Sequence, residues 1–222
     1  MFDQLYILPI LLFSVVIHEI AHGYMALRLG DPTARDLGRL TLNPIPHIDL
    51  IGSIIVPLFS LIAAGSVFIA WAKPIPINPN NFSNLRRDDV LVSVVGPLSN
   101  IILAMVCSVV VVLLSLSGTA VVALDSPLAA DGLEFLLKMF YGGVYLNIVL
   151  AVFNLIPIPP LDGSHMFAAI LPASVAEQYR KVGFLGILIV IGLMRIPAFS
   201  SAFSTVIGGI LLPFRSFIAL FL

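Results

Sequence analysis

The chain has 222 residues, of which 59% are hydrophobic and only 10% charged, with a formal net charge of −1 and a mean hydropathy of +1.10. An ordinary soluble domain carries about 25% charged residues, so this composition excludes one and points to a polytopic membrane protein. The near-neutral charge argues against a nucleic-acid partner, and the single cysteine, Cys107, excludes an intrachain disulfide.

The first apolar run covers residues 5–29 and is long enough to cross about 30 Å of hydrocarbon. Met1-Phe2-Asp3-Gln4 lacks the positive region of a cleavable signal peptide. Inside the run lies Ile17-His18-Glu19-Ile20-Ala21-His22-Gly23. Two imidazoles four apart on a helix share a face, because four steps of about 100° return close to the start. Such a pair can supply two of the three protein ligands of a catalytic zinc, leaving a position open for water. Glu19 can reach that water as a base, so His-Glu-x-x-His reads as a metal-hydrolase signature. Counting about 1.5 Å per residue, His18 lies roughly 15 Å from Arg28, the first strong charge after the motif. Three ionisable side chains at membrane depth are costly and mark a functional site.

Gly30-Asp31-Pro32-Thr33 ends this helix. In residues 33–49, Leu40-Thr41-Leu42 stands between Gly38 and Asn43-Pro44 and reads as a strand or hairpin beside the first helix. His47 is either an extra ligand or a solvated loop histidine. Residues 51–72 are apolar, interrupted by Pro57 and Gly65, and form either one plain span or a re-entrant pair. Basic residues crowd loops 28–39 and 73–87 but not 118–131, which favours the re-entrant form with both basic loops cytoplasmic. From Trp71 to Asn78, Trp-Ala-Lys-Pro-Ile-Pro-Ile-Asn is kept out of any helix by its prolines.

Asp88 or Asp89 can cap the next helix, which runs to about residue 117. It contains Gly96-Pro97-Leu98-Ser99-Asn100, which indicates a close helix contact with a kink. Asn100 needs a hydrogen-bond partner, either across a helix interface or in substrate handling. Another span, 133–156, carries Asn147 and Asn154 and is broken by Pro157, Pro159 and Pro160. Leu161-Asp162-Gly163-Ser164-His165 follows, and apolar runs 182–194 and 199–222 close the chain. Asp162 is a candidate third ligand, since the prolines let its carboxylate turn inward, or else an N-cap for the next helix. His165 competes for the ligand role. The expected fold is an all-α polytopic membrane protein, residues 1–222 forming one domain. It should have five to six apolar spans and a short membrane-associated hairpin or extended segments after the first helix.

The three motifs, His18-Glu19-x-x-His22, Gly96-Pro97-Leu98-x-Asn100 and Asn154-Leu155-Ile156-Pro157-x-Pro159-Pro160-Leu161-Asp162-Gly163, stand in the order found in the site-2 proteases, and the chain resembles that family over nearly its whole length. The resemblance implies a zinc metalloendopeptidase that cuts within the membrane. It implies one Zn2+ on His18, His22 and Asp162, with Glu19 as general base and later proton donor. It further implies that Asn154 helps bind the scissile carbonyl oxygen. Asn100, with Gly96 of the same motif, and the strand bearing Leu40, Thr41 and Leu42 would handle the substrate backbone. The partners implied are a transmembrane substrate and the lipid bilayer, in the cell membrane of a prokaryote. Ser164 stands where many members have a second glycine. No segment has room for a PDZ or CBS domain, since folded domains rarely go below about 40 residues, so the likeness is to a compact branch. A rival reading is a metal-ion-binding transporter or channel without proteolytic activity, but the internal inverted repeats common in such proteins are not seen. A third ligand from a downstream glutamate has only Glu134 and Glu177 to draw on.

Overall fold

A computed structural model of the chain describes residues 6–55, 72–122, 126–183 and 185–221. Eight α-helices occur among them: α1 (Ile7–Arg28), α2 (Thr33–Asp36), α3 (Leu85–Val122), α4 (Pro127–Asn154), α5 (Asp162–Ile170), α6 (Ala173–Arg180), α7 (Leu185–Met194) and α8 (Pro197–Ala219). Four of these, α1, α3, α4 and α8, are long and apolar enough to cross a membrane, and α7 is a shorter apolar helix. The described residues thus fall short of the five to six expected spans. The choice between a span and a re-entrant pair at 51–72 falls largely on residues 56–71, outside the described ones.

The long helices are apolar nearly all round, so packing selects which face is buried. α3 lies along both α1 and α4, and α8 closes against α3 and α4. Ile10 of α1, Ala104, Cys107 and Val111 of α3, Val144 and Ile148 of α4 and Leu211 of α8 share one buried core. Their opposite faces leave Leu8, Leu12, Ile102, Met105, Leu113 and Leu212 exposed. Contiguous apolar surface on this scale is costly in water and ordinary in lipid.

One end of this bundle gathers the polar ties. α1 closes with Gly30 (φ 104°), Asp31 N–H donating to the Ala26 carbonyl (2.9 Å) and Gly30 N–H to that of Leu27 (3.2 Å), a Schellman closure. The fully buried Asp31 carboxylate then accepts from the Thr33 amide and hydroxyl, the Asn78 amide (2.7 Å) and the Asn81 side chain (2.7 Å). Burial alone raises a carboxyl pKa, but these donors outweigh it and hold Asp31 below the usual carboxylate range. Its contribution to stability is complete above the unfolded-state pKa and is lost as pH falls through the lower folded value.

α3 starts earlier than the sequence indicates. Asn84, rather than Asp88 or Asp89, takes the capping position: its side chain accepts from the Arg87 amide (3.1 Å), and Asp88 reaches back to the Asn84 amide (2.9 Å). Asp89 instead binds His165 of α5 and Arg180 of α6, both at 2.9 Å.

No strand occurs among the described residues, so the hairpin expected after the first helix is corrected. In its place the loop's side chains take up its own amides. Asn43 N–H donates to the Thr41 hydroxyl (3.2 Å) and Ile45 N–H to the Asn43 side chain (3.1 Å). Such local bonds compete with strand pairing, and Pro44 and Pro46 supply no amide donors. Nor is His47 solvated: it is buried, and its Nε2 lies 3.0 Å from the Thr41 carbonyl.

The Lys73 amide donates to the His47 carbonyl at 2.8 Å, and Arg39 reaches the Lys73 and Pro74 carbonyls. The chain at residue 73 therefore lies against the chain at residue 47. Single cysteines at Thr33 and Ser83, with Cys107 replaced, should react with an impermeant thiol reagent from the same side of the membrane. Labelling from opposite sides would contradict this arrangement.

Candidate metal centre

His18 and His22 lie on the buried face of α1, against the stretch of α3 that holds Val92, Gly96 and Asn100. His18 Nδ1 meets Asn100 Oδ1 at 2.6 Å, and His22 Nδ1 meets the Val92 carbonyl at 2.7 Å. The Val92 carbonyl can only accept, so His22 Nδ1 carries the proton; the same holds for His18 with Asn100 oriented as it stands. The Nε2 atoms of the two rings face each other, 3.0 Å apart.

Gly96 makes this approach possible. A Cβ there would overlap the His22 ring and come within 2.7 Å of His18 Cε1. The glycine therefore faces the imidazoles. Pro97 beside it withholds an N–H from the preceding turn of α3.

Asp162 arrives from the opposite direction. α4 ends at Asn154, the proline-rich turn follows, and α5 begins at Asp162 with Leu161 as its N-cap and no side-chain cap. The carboxylate is therefore not spent on capping. Its oxygens lie 3.2 Å from His18 Nε2 and 3.4 Å from His22 Nε2. The buried Oδ2 accepts no hydrogen bond, as follows if both Nε2 atoms are lone-pair donors. Gly163 permits this approach too: a Cβ there would run into the Leu155 carbonyl and lie 2.7 Å from the Ile156 oxygen.

The two Nε2 atoms and the Asp162 oxygens thus converge in a largely buried place. Donor atoms of His18, His22 and Asp162 all lie within 4.8 Å of one another. Two imidazoles and one carboxylate suit zinc and leave a coordination position for water. The donor set fits a divalent metal ion.

The family profile described as Peptidase family M50 matches residues 79–195, more than half of the chain. The chain belongs to peptidase family M50. It is 40% identical over 186 residues to "Putative zinc metalloprotease YwhC" of Bacillus subtilis (strain 168), covering 81% of this chain and 78% of that one. It is 30% identical over 199 residues to "Putative zinc metalloprotease Rip2" of Mycolicibacterium smegmatis, covering 86% and 67%. The Mycobacterium tuberculosis (strain H37Rv) protein of the same name is 32% identical over 174 residues, covering 77% and 58%. No solved structure matches the chain at a significant level. This M50 member is a metallopeptidase whose cofactor is zinc.

Other residues singled out in the sequence fall at varying distances from this centre. Glu19 is half-buried and its Oε2 accepts from the Ile75 amide at 2.7 Å. Ile75 and Leu40 both press on Gly23, next to His22, which brings the Leu40 loop to the flank of the site. Thr41 is half-buried and Leu42 is exposed. Asn154 is half-buried and gives one amide hydrogen to the Leu150 carbonyl (3.0 Å). Asn100 is fully buried and holds His18 and Asn147, so its carboxamide faces protein groups. His165 is occupied by Asp89.

Sequence reasoning missed the Val92 carbonyl and the Ile75 amide, since backbone groups leave no mark on residue type. It also gave Gly96 no role toward the imidazoles. The signal available was its pairing with Asn100 four residues on, which puts both on the face of α3 that meets α1.

Asp162→Ala should lose bound zinc, whereas His165→Ala and His47→Ala should keep about one zinc per chain, judged by metal analysis of purified protein. Zinc retained in Asp162→Ala and lost in His165→Ala would reverse the assignment.

Proposed function

We propose that this M50 peptidase hydrolyses peptide bonds within or beside transmembrane segments of membrane-protein substrates. His18, His22 and Asp162 hold one zinc ion, and Glu19 is the general base. The observation that carries this reading is the convergence of those three side chains on the buried face of α1, one of the helices suited to crossing a membrane. When bound, zinc polarises the scissile carbonyl and brings the pKa of its water to about 7.

Glu19 sits next to His18, and its carboxylate takes the proton from the attacking water and returns it to the leaving amine nitrogen. The Ile75 amide, 2.7 Å from Oε2, fixes the direction of the carboxylate while the other oxygen works. Asn154 spends one of its two amide hydrogens on Leu150, which leaves the second to donate to the carbonyl oxygen as it gains charge. The role of Asn100 is to hold His18, with Gly96 making room for the rings. Leu40, Thr41 and Leu42 flank the site beside Gly23 and present an irregular edge to an unwound stretch of substrate.

The membrane arrangement follows from charge. Arg28, Arg35, Arg39, Lys73, Arg86, Arg87, Arg180 and Lys181 belong to the segments that meet at the metal-centre end of the bundle, which makes that end cytoplasmic by the positive-inside rule. The bond between Lys73 and His47 supports placing residues 47 and 73 on the same side of the membrane. The bacterial relatives support a prokaryotic cell membrane as the enzyme's location, with residues 1–222 acting as one catalytic domain.

Incubation with a fluorogenic transmembrane peptide in proteoliposomes tests the chemistry. Glu19→Gln should keep its zinc and cleave about 10²–10⁴ times more slowly. Wild-type turnover in that variant would overturn the assignment, and zinc flux without any cleavage by the wild type would favour a transporter. In the same assay Asn154→Ala should lower kcat about 10²–10³-fold at unchanged zinc content. Unchanged turnover would leave Asn154 as a helix contact alone.

A further inference from the structure

Beyond the ligands and Glu19, a polar chain runs away from the metal centre into the apolar core. His18 Nδ1 meets Asn100 Oδ1 at 2.6 Å, Asn100 Nδ2 donates to Asn147 Oδ1 at 2.9 Å, and Asn147 Nδ2 donates to the Gly143 carbonyl at 2.9 Å. Asn100 and Asn147 are both fully buried. We infer that Asn147 is a positioning residue of the metal centre: through Asn100 it sets which nitrogen of His18 carries the proton.

The direction of the chain is decided at its far end. A carboxamide can turn over and exchange its donor and acceptor ends, so neither Asn100 nor Asn147 alone dictates the state of His18. The Gly143 carbonyl is a backbone acceptor and cannot turn over. It therefore requires the Asn147 nitrogen to face it, which points Asn147 Oδ1 at Asn100. Asn100 must answer with its nitrogen and present its oxygen to His18. Reversing Asn100 would set two amide oxygens 2.9 Å apart, and the pair is buried where no water can relieve them. With the oxygen presented, Nδ1 of His18 is the donor and Nε2 keeps its lone pair for the metal.

The two imidazoles differ in this respect. His22 is held directly by the Val92 carbonyl, so no side-chain substitution can invert its partner. His18 depends on two carboxamides. Removing the Asn147 oxygen frees Asn100 to turn its NH2 toward His18 Nδ1, which moves the ring proton to Nε2 and blocks the ligand.

The inference rests on His18 as a metal ligand, and two variants separate it from a simple packing role. Asn147→Leu keeps a comparable volume but has no acceptor for Asn100. Asn147→Asp keeps that acceptor whether or not it is protonated. In chelator competition on the full-length zinc-loaded protein, Asn147→Leu should bind zinc about 10- to 100-fold more weakly, while Asn147→Asp should stay close to wild type. Nitrogen-15 NMR of histidine-labelled, zinc-stripped protein should show His18 protonated at Nδ1 in wild type and Asn147→Asp, and at Nε2 in Asn147→Leu. Wild-type affinity in Asn147→Leu, or equal losses in both variants, overturns the inference. If Asn147→Leu does not fold, an Nε2 proton on His18 in Asn147→Asp overturns it equally. Failure of wild type itself to bind zinc would instead refute the ligand reading on which it rests.

Discussion

Three lone-pair donors held within hydrogen-bonding distance of one another, in an apolar bundle, are the constraint on which the rest of this structure depends. Two Nε2 atoms 3.0 Å apart and a carboxylate oxygen 3.2 Å from one of them repel unless positive charge lies among them. Water cannot screen that repulsion where all three groups are largely buried. The fold must therefore hold them together from outside. It does so with the Asn100 side chain and the Val92 carbonyl behind the rings, and with close backbone approach at Gly96 and Gly163.

The same end of the bundle collects the polar ties that fix the helices carrying those groups. Asp31 binds the end of α1 to the segment entering α3. Asp89 binds the N-terminal part of α3 to α5 and α6, and α5 begins with Asp162. Asp31 and Asp89 are each satisfied by several donors, so these contacts set register among helices whose apolar faces alone would slide. The far end of the bundle relies on core packing. This asymmetry separates a geometrically strict chemical end from a membrane-anchoring remainder.

Much of the centre was legible in the sequence because its signals are local. The spacing of His18 and His22 gives one face of a helix, and the prolines before Asp162 announce a chain reversal at an ionisable residue. The motif order then identified the family. What was misread depends on contacts that residue type alone does not announce. Leu40-Thr41-Leu42 has the composition of a strand, yet a strand needs a neighbour to pair with, and Thr41 and Asn43 capture the amides that pairing would use. His47 carries no sequence sign that it would bond the Thr41 carbonyl inside the protein. Asp89 looked like a helix cap because its true partners, His165 and Arg180, lie 76 and 91 residues away. Asn147 was visible as a polar residue in an apolar run, but its link to His18 passes through a third helix.

The central claim is that two imidazoles and one carboxylate, all from this chain, hold the zinc of this M50 peptidase. X-ray absorption at the zinc edge, on purified full-length protein in lipid nanodiscs, tests it most directly. The account predicts the scattering pattern of two imidazoles with the remaining ligands oxygen, and one imidazole fewer in His22→Ala where metal is retained. A sulfur ligand from Cys107, or three imidazoles in the wild type, would contradict it.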